Sequence, residues 1–241
     1  MKSKKIREEK APWFDGSRAL KDFYSISNLY DYIMGYYEIR SNKKAIGLLN
    51  FFEGCEVLDI GVGTGLSLKE ILKNLPKNSL LVGLDYCEAM LIRSKKRIDS
   101  YKKDNSVILI QSQADETKLE NGSFDIIYSS FLLDLLSIEK RNSVLNEMKR
   151  LLKPDGVICI CVMDIDVKNN FDNFLNDIYN FGYGRWNKIW QFFFKGYAPH
   201  CRPIRIMDNI KTENFEIINK QSSYVLVFPV SIYLVKPRKQ P

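Results

Sequence analysis

The sequence is poor in histidine, with His200 alone, and its five cysteines (Cys55, Cys87, Cys159, Cys161, Cys201) follow no finger or ribbon spacing. No structural zinc site of the Cys/His kind is written into the chain. An odd thiol count with two members inside an apolar run reads as a reduced, intracellular protein. Long apolar runs are also missing: the longest, 224–235, is broken by Pro229 and Ser231. That falls short of the roughly 20 residues that span a bilayer. The charged start MKSKKIREEK has no secretory apolar core, so the expected location is cytoplasmic. Fixed-period repeats and flexible linkers are absent. Charge of one sign is never massed: 36 Lys and Arg are interspersed with 29 Asp and Glu, for a net +7. This gives only a slight pull toward an anionic partner. A length of 241 residues suits one domain with a sizeable core.

What is present is a cadence. Short β-branched runs at 57–60, 80–84, 107–110, 124–128 and 157–162 alternate with amphipathic stretches at 66–75, 88–103 and 137–152. In the last stretch Val144, Leu145, Met148, Leu151 and Leu152 recur at helical spacing. Continuously apolar strands require a sheet covered on both faces, so the pattern predicts a parallel, doubly wound α/β core. Pro154-Asp155-Gly156 reads as the turn that ends the last helix and opens the fifth strand.

The first strand runs into Gly61-Val62-Gly63-Thr64-Gly65 ahead of a helix. Glycines allow positive φ and close backbone approach, and the helix amides that follow favour a polar or anionic group. The spacing G-x-G-x-G lacks the third glycine of the nicotinamide fingerprint, since Leu66 stands there. No G-K-[ST] follows either, so a triphosphate loop is excluded. Asp85, at the end of the second strand, is placed to accept from both hydroxyls of an unphosphorylated ribose. Asp115, after the third strand, could take the amino group of adenine, with Tyr86 supplying a face for the ring. The plainer reading of each carboxylate alone is a solvated turn or a helix cap, with more force for Asp115 than for Asp85; together, at successive strand ends, they point to a ligand.

The stretches VLDIGVGTG (57–65), LVGLDYCEAML (81–91), QADETKLENGSFDIIYSSFLLDLL (113–136) and LKPDGVICI (152–160) resemble the successive motifs of class I S-adenosylmethionine-dependent methyltransferases. The likeness is greatest to the small-molecule group typified by ubiquinone and menaquinone biosynthesis, and it covers residues 24–163. It implies a Rossmann-like sheet of seven strands with the last antiparallel, closed by 214–226 and 230–236. It also implies an N-terminal helical cap and an aromatic lid insertion. The expected division is a leader over 1–42, a cofactor-binding core over 43–163, the lid over 164–203, and a C-terminal helix and closing strands over 204–241, all in one domain.

By the same resemblance, Asp59 and the backbone of Gly61, Gly63 and Gly65 hold the methionine end of S-adenosylmethionine. Asp85 binds ribose, Tyr86 lies against adenine, and Ala114, Asp115 and Glu116 read its amino edge. Ser129 approaches the cofactor's amino group from the fourth strand. The product would be S-adenosylhomocysteine. Two departures stand out: Val62 replaces the usual Cys or Ala, and Leu119 is followed by Glu120 where Leu-Pro is common.

Acceptor-side residues are harder to read. A sulfonium-borne methyl group needs positioning more than a dedicated base. His200, the only side chain that titrates near neutrality untuned, and Asp134 are the candidate catalytic residues; a loop histidine and a helix-capping acid are their plainer readings. Tyr24, Trp186, Trp190, Tyr197 and Arg202 are the candidate substrate contacts. The aromatic run over 179–197 reads as a lid over an apolar or aromatic acceptor, as ordinary core, or as a surface touching lipid. The leading expectation is a small-molecule methyltransferase. Methylation of RNA is the first alternative, suggested by the charge and by the basic residues Arg93, Lys95, Lys96, Arg97, Lys102 and Lys103. The fourth-strand sequence IIYSSFLL argues against it, lacking the N-P-P-Y character that grips a flipped base. A non-catalytic S-adenosylmethionine-binding protein is the second alternative. No metal is expected.

Overall fold

The computed structural model describes residues 35, 38–101, 105–164, 204–225 and 228–238. Seven strands form one sheet: β1 (Glu56–Ile60), β2 (Leu80–Asp85), β3 (Ser106–Gln111), β4 (Phe124–Ser130), β5 (Leu152–Met163), β6 (Phe215–Val225) and β7 (Phe228–Pro237). Their order is β3-β2-β1-β4-β5-β7-β6. β7 is antiparallel to both β5 and β6, while the remaining pairings are parallel. The expected closing pair is therefore in place.

Each strand's alternation divides the core in two. Val57, Leu81, Ile126, Cys159 and Ile232 point to one side. There they meet a helix at 38–46 (α1), helix α2 (Leu66–Asn74) and helix α3 (Glu88–Ile98). Leu58, Ile60, Val82, Ile127, Ile158 and Val235 point to the other, under α4 (Ile138–Leu151) and α5 (Ile206–Thr212). Continuous apolar strands were the sequence sign of this two-sided burial. In α4, Val144, Leu145, Met148 and Leu151 form one buried stripe, and the Ser137 hydroxyl caps the helix by accepting from the Lys140 amide. Burying a side chain of that size contributes about 1.5–3 kcal/mol, so a charge at Met148 would detach the helix.

Pro154-Asp155-Gly156 departs from expectation. The strand begins earlier, at Leu152, which pairs with Phe124, and the next pairing is Ile126 with Val157. Lys153 to Gly156 thus bulge out opposite Asp125 within β5, and do not form a turn before it. Lys153 Nζ holds the bulge to Asp125 Oδ2 at 2.8 Å and Glu56 Oε2 at 2.7 Å, and the Glu56 amide donates to Asp125 Oδ2 at 2.9 Å. Glycine is required at 156 because a Cβ there would come within 2.9 Å of the Asp125 carbonyl.

At its far end β5 passes into Asp164, which forms a parallel bridge with Ile204. The Ile204 amide donates to the Met163 carbonyl at 3.0 Å, and the Asp164 amide to the Pro229 carbonyl at 3.1 Å. The buried Asp164 carboxylate accepts from the Tyr233 hydroxyl and lies 3.6 Å from Lys220 Nζ. The strand order reverses between β1 and β4, so the crevice for a ligand opens at their carboxyl ends.

Candidate cofactor site at the carboxyl ends of β1 and β2

β1 leaves the sheet through Gly61, Gly63 and Gly65, with φ of +78°, +52° and +85°. The amides of Gly61 and Val62 both donate to the Leu84 carbonyl, at 2.7 and 3.1 Å, which folds the turn over the end of β2. Asp85 braces it. Its Oδ2 accepts from the Gly63 amide and its Oδ1 from the Cys87 amide, each at 2.8 Å. One carboxylate thereby ties the glycine turn to the start of α3 and keeps lone pairs for further donors. Burial pushes its pKa up, against the pull of the amides of Cys87, Gly63 and Tyr86. Gly65 is where α2 and α3 touch: a Cβ there would lie 2.8 Å from Ser94. At Gly63 a Cβ would meet nothing within 4 Å.

Asp59, the last acid of β1, is fully buried. Ser67 donates to its Oδ2 at 2.5 Å, whereas Oδ1 is buried and has no hydrogen-bond partner among the described residues. Burial raises this carboxyl to about 7, the Ser67 hydroxyl lowers it, and Asp85 raises it again. An unpaired buried oxygen beside a roomy glycine turn is a site prepared for a cationic or N–H donor group. The methionyl ammonium of S-adenosylmethionine has that chemistry, and the ribose hydroxyls match the spare acceptors of Asp85; the residues fit the cofactor.

The other sequence candidates fall around this centre. Tyr86 is exposed at the rim, its carbonyl held by Gln111 Nε2 at 3.2 Å. Ala114 is half-buried and Glu116 is exposed, just after β3. Asp115 forms an ion pair with Lys140 of α4. The Ser129 hydroxyl donates to the Ile60 carbonyl at 3.1 Å and so secures β4 to the end of β1. Asp134 lies in a 3-10 turn, Leu133–Leu135, on the segment whose Leu132 abuts Gly61. Its Oδ2 accepts from the Met163 amide at 3.4 Å, and Oδ1 is buried without a partner among the described residues. Burial raises it to about 7, opposed by the amides of Asp134 and Met163 and by the Arg141 charge. Tyr24, Trp186, Trp190, Tyr197, His200 and Arg202 lie outside the described residues, as do the leader up to residue 34 and the aromatic run. Among the described residues no cluster of His, Cys, Asp and Glu could hold a metal ion, and no helix is long and apolar enough to cross a membrane.

Three charged residues of α4 went unread. Lys140 pairs with Asp115, Glu147 accepts from Thr117, and Arg150 donates to the Leu119 carbonyl at 2.8 Å. Their i, i+7, i+10 spacing is one helical face, and 115, 117 and 119 alternate as an extended chain does; the two periods together were the available signal.

The methyltransferase-domain family matches residues 57–156, from β1 to the β5 bulge. A carboxy-S-adenosyl-L-methionine synthase of Haemophilus ducreyi is 28% identical over 140 residues, 56% of this chain and 57% of that protein. A ubiquinone/menaquinone biosynthesis C-methyltransferase of Geobacter sulfurreducens is 25% identical over 145 residues, 58% of this chain and 56% of that protein. The chain thus spans a little over half the length of these relatives. A solved S-adenosylmethionine-dependent methyltransferase from Aquifex aeolicus superposes with a TM-score of 0.57 at 17% identity, covering 80% of this chain and 88% of that one. It speaks for the fold alone. Residues 57–156 are therefore a methyltransferase domain, similar in sequence to that of the ubiquinone/menaquinone biosynthesis C-methyltransferases.

Proposed function

We propose that the protein binds S-adenosylmethionine over the carboxyl ends of β1 and β2 and moves its methyl group to a small acceptor of apolar or aromatic character. The observation that carries this reading is the buried, unpaired Oδ1 of Asp59 beside the glycine turn that Asp85 braces. Asp59 holds the ammonium, the open space beside Gly63 takes the methionine end, and Asp85 accepts from the ribose. Tyr86 covers one face of adenine while Asp115 and the Glu116 amide read its edge. The bound cofactor supplies a methyl group on a sulfonium, already activated for in-line displacement. The protein's share is then to orient the acceptor and to receive its proton. Asp134, held near neutrality by burial, suits that receipt. His200 is the second candidate for it, with Tyr24, Trp186, Trp190, Tyr197 and Arg202 as acceptor contacts.

The test is a thermal melt with and without S-adenosylmethionine. The wild type gains stability from a ligand that binds only the folded state, and Asp85→Ala loses that gain. No shift in the wild type would remove the cofactor from the proposal. A panel of quinols, phenols, thiols, amines and bulk RNA, given labelled cofactor, then identifies the acceptor; label in RNA alone would favour the nucleic-acid reading. The 28% likeness to a carboxy-S-adenosyl-L-methionine synthase supports a second reading, in which the cofactor's methyl carbon loses a proton and takes a carboxyl group from a separate carboxylic-acid donor, and the mass of the nucleoside product separates this from methyl transfer.

A further inference from the structure

The segment after β3 follows α4 rung by rung. Asp115 meets Lys140. Thr117, two residues on, is buried and gives both its amide, at 2.9 Å, and its hydroxyl, at 2.6 Å, to Oε1 of Glu147. Leu119 and Asn121 are gripped by Arg150, which also donates to both oxygens of Glu147, at 2.8 and 2.7 Å. Glu147 is thus a buried carboxylate that takes four donors, two from the segment and two from Arg150. The Arg150 guanidinium, outweighing the upward push of burial and joined by Thr117, holds its pKa down to about 2, so it stays an acceptor throughout the physiological range.

Such a clamp does more than a hydrophobic contact could. Two hydrogen bonds to one oxygen fix both the position and the rotation of Thr117. The peptide groups of Asp115 and Glu116 immediately before it then have little freedom left. We infer that Glu147, with Arg150 behind it and Lys140 beside it, is a positioning residue that sets the adenine-reading edge of the site and so its preference for adenine over a 6-oxo purine. The inference rests on the cofactor reading above. Adenine presents a donor at its amino group and an acceptor at N1, and hypoxanthine presents the reverse. A segment held in one orientation offers Asp115 as acceptor and the Glu116 amide as donor, which suits only the first. A segment free to turn would accommodate both. Lys140 engages Asp115 Oδ2, so the carboxylate is held in place before a ligand arrives.

The experiment is calorimetric binding of S-adenosylhomocysteine and of S-inosylhomocysteine to the full chain, with no turnover required. The wild type prefers the adenosyl compound. Glu147→Ala weakens S-adenosylhomocysteine by about tenfold or more while the inosyl compound changes far less, so the ratio of the two constants contracts. Glu147→Gln keeps an oxygen for Thr117 and restores most of the ratio. Lys140→Met, at the exposed end of the clamp, contracts the ratio by a smaller factor. A folded Glu147→Ala protein in which both ligands weaken equally, or neither does, overturns the inference. If that variant does not fold, Thr117→Val removes one rung and is judged by the same ratio. Absence of S-adenosylhomocysteine binding in the wild type would instead strike the cofactor reading itself.

Discussion

The glycines of the turn after β1 are required for different reasons, and alanine substitutions separate them. Gly65 has φ +85°, and a Cβ there would stand 2.8 Å from the Cα and Cβ of Ser94. Left-handed backbone costs a non-glycine residue about 1–2 kcal/mol. Overpacking against backbone adds about 1–3 kcal/mol, because α3 has to move away from α2. Gly65→Ala should therefore cost about 3 kcal/mol, or about 6–12 °C in Tm at about 2–4 °C per kcal/mol for a domain of this size. Gly63, at φ +52°, has nothing within 4 Å of its Cβ position. Gly63→Ala should show the backbone cost alone, about 1 kcal/mol. Gly54, at φ +78° with equally open surroundings but before β1, is the control for that backbone cost. The order reverses for binding. The open space at Gly63 is the space proposed for the methionine end, so Gly63→Ala should lose more than about tenfold in S-adenosylmethionine affinity. Gly65→Ala, measured below its transition, should lose much less, and Gly54→Ala nothing. Urea denaturation and calorimetry on the three variants decide the matter. Equal destabilisation of Gly63→Ala and Gly65→Ala would refute the steric argument, and unchanged affinity in Gly63→Ala would refute the placement of the ligand.

Other outcomes follow from the buried polar groups. Asp59 and Asp134 are each raised from 3.8 to about 7, so between those values the folded state holds protons that the unfolded state has released. Stability of the ligand-free protein should fall as pH rises through that window and level off above about 7; Asp59→Asn should flatten the slope in a pH series of melts while weakening cofactor binding. The buried Tyr128 hydroxyl donates to Asn42 Oδ1 at 2.7 Å. Tyr128→Phe leaves that oxygen unsatisfied and should cost about 1–3 kcal/mol in denaturant titration. Asp134→Asn should lower kcat with little change in cofactor affinity, read by single-turnover and binding measurements on the same sample.

Strands were legible wherever burial was two-sided, since β1, β2, β4 and β5 each carry consecutive apolar residues, Val57-Leu58, Leu80-Leu81-Val82, Ile126-Ile127-Tyr128 and Val157-Ile158-Cys159-Ile160-Cys161-Val162-Met163. β3, at the sheet edge, was still visible from its β-branched run although Ile108 is exposed. Pro154-Asp155-Gly156 misled because the residues that favour turns also favour bulges; what decides between them is Lys153 meeting Asp125 and Glu56, partners remote in sequence. The glycine turn and Asp85 were legible because each is marked by its own residue type at the carboxyl end of a strand. That Asp85 also braces Gly63, and that Asp59 keeps one oxygen unpaired, depend on side-chain geometry that spacing does not carry. The Ser129 hydroxyl is engaged by the Ile60 carbonyl, a contact between neighbouring strands that appears only once their order is known. The clamp of α4 escaped notice because its halves are a helix face and an extended segment, each unremarkable when read alone.

The bridge between Asp164 and Ile204 gives the chain a seam. Asp164 and Ile204, on either side of 165–203, are joined by a bridge whose Ile204 amide donates to the Met163 carbonyl. That stretch can be shortened, lengthened or exchanged for one from another methyltransferase while the stitch at its base holds. A chimera that swaps 165–203 alone therefore tests the acceptor role proposed for that stretch while leaving the cofactor half unchanged.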